Sequence, residues 1–235
     1  MWKSIVGATA LLGLMAGNAG AATIIPVGSE TVEGNSANGF PFFTPIIARY
    51  QQVWDGSLFG NETIRISAIS FRIDEDSFVS SFGPTQTGQI ISLSTTTRAV
   101  DNLSITPNLN VGVDSTIVAS NPTLSGTAVP NQVNPFNVTI AFNQLFTFDP
   151  TAGNLLLDVV GSALTASIDA VIDENDGTSR FLEMTNGDRS TNTLGLVAKF
   201  DFEPVSTVPV PAALPLLTTA LAVFGLLRLR RSNTA

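Results

Sequence analysis

Two runs of carboxylates are the residues in this chain whose types and spacing could do chemistry. Asp74-Glu75-Asp76 and Asp173-Glu174-Asn175-Asp176-Gly177 gather the oxygen ligands that hard cations such as calcium take from flexible loops. The second run falls short of a calcium loop, which needs ligands at positions one, three and five, glycine at six and a bidentate glutamate at twelve. Here Gly177 stands fifth and Met184 twelfth. Asn-Asp-Gly is strong turn chemistry, so a solvated hairpin turn is the expected role, with no metal bound.

Other chemistries fare no better. Neither cysteine nor histidine occurs, which removes thiolate nucleophiles, the commonest general base and the commonest transition-metal ligand. A glycosidase requires two carboxylates about 5 to 9 Å apart across a cleft, and among 19 acidic residues no pair is singled out. The expectation is a protein that is not an enzyme, with no catalytic residue and no cofactor. Tyr50 and Trp54 lie four residues apart, so an extended segment would point both to one side. Exposed, they would stack on sugar rings; packing in a core or at an edge is the preferred reading.

The segments that would position these groups read as strands. Phe136-Asn137-Val138-Thr139-Ile140-Ala141-Phe142 alternates cleanly, and Leu194, Leu196, Ala198, Phe200 and Phe202 share one face of a second run. Ile64, Ile66 and Ala68 are in one phase but Ile69, Phe71 and Ile73 in the other, which predicts a bulge, or a crossing between sheets, near Ala68. Further strands are expected over 89–94, 116–119, 145–148, 155–160, 166–172 and 180–184, separated by Gly, Pro, Asn and Asp. Sustained helical periodicity is missing from this region. The fold class expected is all-β: a two-sheet antiparallel β-sandwich, jelly-roll-like, over residues 23–204.

Both ends of the chain differ from this body. Met1-Trp2-Lys3, an apolar stretch from Ile5 to Met15 and the small residues Ala19-Gly20-Ala21-Ala22 have the order of a secretory signal peptide over 1–22, cut by signal peptidase after Ala21 or Ala22. At the other end, residues 205–227 carry no charge. Residues 205–211 read as a Pro-rich tether and motif, 212–229 as a single transmembrane helix, and 230–235 as a basic cytoplasmic tail. At the helical rise, 212–229 would cover about 27 Å, close to a hydrocarbon core. Arg228, Arg230 and Arg231 would stay cytoplasmic and leave the body across the membrane. Of 11 basic residues, four (Lys3 and those three arginines) lie in the ends; the body keeps seven against 19 acidic ones, about −12. Such a surface repels phosphate backbones, so no nucleic-acid partner is expected.

Val208-Pro209-Val210-Pro211-Ala212, the apolar helix and the arginine cluster follow one another in the order of the PEP-CTERM sorting signal, which this tail resembles in its VPLPA-type variant. The resemblance implies export through the inner membrane of a Gram-negative bacterium, transient anchoring there by the C-terminal helix, and cutting by an exosortase. Val210 stands where the Pro-Glu-Pro form has glutamate. Residues 49–59, 63–72 and 153–159 also resemble a sandwich domain often fused to such tails, which implies a fold and no activity.

The function expected is therefore that of an exported cell-surface or extracellular-matrix protein of structural role, as in a biofilm. The alternative is a carbohydrate-binding module that recognises exopolysaccharide.

Overall fold

The computed structural model describes residues 21–38, 47–75, 81–161, 168–172 and 177–205. Residues 1–20 of the expected signal peptide, the expected motif, helix and arginines within 206–235, Asp76 and the acidic run 173–176 lie outside the described residues.

What is described is all-β. The strands are β1 (Ala21–Ile25), β2 (Ser36–Asn38), β3 (Ile47–Trp54), β4 (Ile64–Phe71), β5 (Ser81–Gln86), β6 (Ile90–Thr96), β7 (Thr116–Ser120), β8 (Thr123–Thr127), β9 (Val138–Phe148), β10 (Asn154–Val160), β11 (Ile168–Ile172), β12 (Thr178–Met184), β13 (Arg189–Asn192), β14 (Leu194–Leu196) and β15 (Ala198–Pro204). Only two short 3-10 turns, Gly56–Phe59 and Pro107–Leu109, interrupt them, and no helix among the described residues is long and apolar enough to cross a membrane.

The strands form four antiparallel sheets, ordered β1-β15-β4-β9, β13-β12-β3-β10-β6-β7, β14-β11-β2 and β5-β8. Ile66, Ile69, Val138, Phe148 and Phe200 from the four-stranded sheet meet Tyr50, Trp54, Leu93, Leu155 and Leu157 from the six-stranded sheet in one core cluster. Its centre is aromatic: the Phe200 ring stands edge-on to Trp54 and to Phe59, each at 5.0 Å between centroids, the geometry that ring quadrupoles favour.

The central strand β10 shows why its sequence does not alternate. Leu155, Leu157 and Val159 face this core, while Leu156 joins Val53, Leu103 and Phe181 in a second cluster on the sheet's other side. A strand covered on both faces buries consecutive apolar side chains, here from Leu155 to Leu157, while Val160 at the strand's end is exposed. Its charge is neutralised in place: Asp158 takes two hydrogen bonds from Arg49 on β3, at 2.8 and 2.7 Å. Gln51, buried on the same strand as Arg49, donates to the Pro107 carbonyl and accepts from Asn110, which fastens part of the 97–115 connection to the sheet.

The phase change in β4 is a bulge. Ala68 pairs with Asp201 and Ile66 with Phe202, so Ser67 is the extra residue, and its hydroxyl donates to the Asp201 carbonyl at 3.1 Å. On the other side the β9 register jumps from Phe146 to Ala141 across the same residue. The two runs expected at 136–142 and 145–148 are thereby one strand, β9. Conversely, the single run 194–202 is two strands. Val197 gives its N–H to the Asp169 carbonyl at 2.9 Å, and the chain passes there from the three-stranded to the four-stranded sheet.

Candidate functional site

Arg72 is a fully buried charge, with no exposed surface. It follows the last residue of β4, where Ile73 makes an isolated antiparallel bridge to Ile168 and the Arg72 carbonyl accepts the Asp169 N–H at 3.1 Å. This backbone pairing brings Asp169, on β11, against the guanidinium. Nε donates to Asp169 Oδ2 at 2.6 Å, and Nη2 makes an ion pair with the same oxygen at 2.5 Å.

The remaining donors reach the connection between β1 and β2. Nη1 donates to the Ser29 carbonyl at 2.8 Å and Nη2 to the Val32 carbonyl at 2.5 Å. Gly34 N–H donates to Asp169 Oδ1 at 2.8 Å. A Cβ on Gly34 would stand 2.1 Å from the Ala170 carbonyl oxygen, so only glycine permits this approach. Over the guanidinium lies the Phe136 ring, its centroid 5.0 Å away, a cation–π contact in a dry setting.

Two more carboxylates complete the cluster. Glu33 Oε1 accepts the Glu75 N–H at 3.1 Å; Oε2 is 3.8 Å from Arg72 Nε, fully enclosed and without a hydrogen bond. Asp74 is buried beside them, and oxygens of Glu33, Asp74 and Asp169 lie within 4.8 Å of one another. Three acids thus surround one fixed cation. Burial, with the neighbouring Asp169 charge second, pushes Glu33 up to about 7, against the opposing pull of Arg72. Burial likewise raises Asp169 to about 6, again against Arg72. The cluster sets the Arg72 guanidinium against these carboxylates. What it can do chemically is hold a proton.

The residues expected to matter fall in different places. Of Asp74-Glu75-Asp76, Asp74 enters the buried cluster and Glu75 contributes its backbone N–H. Tyr50 and Trp54 do point to one side, as their spacing predicts, but that side is the core: both are fully buried. Neither ring offers a face to a sugar, which corrects their candidacy as a stacking pair. Burial also carries the Tyr50 hydroxyl well above the usual tyrosine range; it donates to Gln52 Oε1 at 2.5 Å.

Two surface recesses accompany the cluster. One, of about 440 Å³, lies among Asp55, Asn61, Thr97, Thr151 and Asn154. Its polar atoms serve the turns that build it: Asp55 Oδ1 accepts the Ser57 N–H, and Asn154 accepts the Gly56 N–H while donating to the Arg98 carbonyl. The other, of about 320 Å³, is lined by Ala21, Ala22, Leu145 and Phe202 with Asp201 and Glu203. Those two carboxylates are tied to cations, Asp201 to Lys199 at 2.8 Å and Glu203 to Arg65 at 3.4 Å.

Ala21 and Ala22, the expected signal-peptidase residues, open β1 and pair with Phe202 and Asp201 of β15. Three residues beyond Phe202, the Val205 N–H donates to the Thr63 carbonyl at 2.9 Å. At the extended rise this places residue 21 within about 10 Å of the last described residue. Val208, Pro209, Val210, Pro211 and Ala212, and Arg228, Arg230 and Arg231, are outside the described residues.

Compared with known proteins, the chain matches no family model, no curated protein and no solved structure.

Proposed function

We propose that this chain is an exported, non-enzymatic structural protein: a jelly-roll-like two-sheet sandwich carried out by a signal peptide and held at the inner membrane by a PEP-CTERM-type tail. An exosortase then cuts that tail, leaving the sandwich at the cell surface or in the extracellular matrix. The observation that carries the reading furthest is the pairing of Ala21 with Phe202. It sets the two ends of the described body side by side at one edge of a sheet, so a precursor held at either end would present the same pole to the membrane. Two residues, Ser206 and Thr207, separate the last described residue from Val208, so the motif would be offered close against that pole. The sandwich reading rests on the shared core of the two larger sheets. An enzymatic reading lacks an unpaired carboxylate couple in either recess, and exopolysaccharide binding has lost its aromatic pair to the core.

Replacing Pro209 and Pro211 by Ala tests the tail. Proline holds the segment extended, as a protease groove requires, and the alanine pair permits helix to run into it. The doubly substituted chain should accumulate at full length in the membrane fraction. Unchanged release of both proteins, or release of neither, would count against recognition of this motif.

A further inference from the structure

We propose that Arg72, Glu33 and Asp169 form a proton-operated latch on the 26–34 connection: a proton held between the two carboxylates keeps the connection closed on Arg72, and losing it opens the connection while the sheets stay folded.

The geometry sets up the conflict. One guanidinium neutralises one carboxylate, and Asp169 takes that role through a hydrogen bond from Nε and an ion pair with Nη2. Glu33 then brings a second carboxylate into the same enclosed space, with Oε2 sealed from water and bonded to no donor. A third, Asp74, lies within 4.8 Å of both. Ionising Glu33 as well as Asp169 beside the one guanidinium would place an excess negative charge in a poorly solvated volume, where like charges repel far more strongly than in water. Among the described residues, the charged groups facing this space are Glu33 from the 26–34 connection, Arg72, Asp74 and Glu75 from the chain leaving β4, and Asp169 from β11.

What would yield is equally defined. The core strands are held by ladders and apolar packing that do not titrate. The 26–34 connection is held by Arg72 at the Ser29 and Val32 carbonyls, by Asp169 at the Gly34 N–H and by Glu75 at Glu33. Every one of these contacts involves a cluster residue or its neighbour. Of the two carboxylates on the moving part, Glu30 is exposed and Glu33 alone enters the cluster, so its ionisation pushes that part out. Both raised carboxylates agree in sign: the closed state binds protons more tightly than a free chain does, so closure is complete in mild acid and weakens as pH rises through about 6 to about 7.

Hydrogen exchange read by mass spectrometry on the full chain in mild detergent tests this, comparing about pH 5.5 with about pH 8.5 after correction for the intrinsic rate. In the wild type, protection of residues 26–34 should fall at least about tenfold between the two, while Asn154–Val160 of β10 keeps its protection within about twofold. In Glu33→Gln, which retains the shape without the charge, protection of 26–34 should stay high at both values. A wild-type profile flat with pH would overturn the latch whether or not the variant folds, as would an undiminished pH response in a folded Glu33→Gln chain. Calcium at millimolar concentration that restored protection in the wild type at the higher pH would overturn it too, because the counter-charge would then be a metal ion rather than a proton.

Discussion

Gln52 and Leu196 are paired as two strand residues would be, although one partner is a side chain. Gln52 Nε2 donates to the Leu196 carbonyl at 3.0 Å, and Leu196 N–H donates back to Gln52 Oε1 at 2.9 Å. The side-chain amide satisfies both backbone groups of a buried residue on β14 and joins the six-stranded sheet to the three-stranded one. Buried peptide groups must find such partners, since an orphan costs its full desolvation.

Replacing Gln52 by Leu removes the amide while keeping the volume. The Leu196 N–H and carbonyl and the Tyr50 hydroxyl lose their partner together, and destabilisation of about 3 kcal/mol or more is expected. Chemical denaturation with an unchanged m-value and a lowered midpoint would show it; a midpoint close to wild type would mean water takes over the amide's bonds.

Trp54 is a core residue, and its replacement should act on stability alone. Trp54→Ala removes the edge contact to Phe200 and leaves a cavity among the buried aromatics, worth about 3 to 5 kcal/mol. Thermal melting should fall accordingly. Retardation in polysaccharide-containing gels should not change; loss of retardation in a still folded variant would return the residue to sugar binding.

The body should be most stable in mild acid. Glu33 and Asp169 both have folded values above their ordinary ones, at about 7 and about 6. Each adds stability that is complete below its unfolded value and is lost as pH rises through its folded one. Melting temperature should therefore decline between about pH 5 and about pH 8, and Glu33→Gln should flatten the upper part of that decline. A melting temperature that rose through this range would contradict the charge arrangement around Arg72.

β1 is part of the fold, and its removal should be costly. A chain beginning at Pro26 would lose five residue pairs with β15 and the fully buried Ile25. The expected loss is about 3 kcal/mol or more relative to one beginning at Ala21. Equal denaturation midpoints for the two would show that β1 pairs too weakly to matter.

How much of this could be read from sequence depends on whether the cause is local. The reversal of phase at Ala68 was legible because a bulge displaces one residue within one strand, and Ser67 is that residue. The apolar run 155–160 identified β10, since burial on both faces leaves its mark on consecutive residues. The break at Val197 was not legible: alternation continues across it, and the cause is a hydrogen bond to Asp169, far away in the chain. Ala21 and Ala22 carry a small-residue pattern that hides their strand, though Thr23-Ile24-Ile25 is β-branched throughout. The Arg72 cluster was missed for a related reason. Arg72 lies opposite in phase to Ile69, Phe71 and Ile73, which reads as a solvent-facing position, and only the 26–34 connection, absent from any local pattern, makes it an interior one. Of its three acids, Asp74 alone belonged to a visible run.

The central claim is that the C-terminal segment is a processing signal and not a permanent part of the protein. The most direct test is the intact mass of the protein recovered outside the cell, from which both termini follow. The expected result is a chain that starts at Ala22 or Thr23 and has lost the apolar segment with Arg228, Arg230 and Arg231. Recovered protein that retained its residues through Ala235 would contradict it.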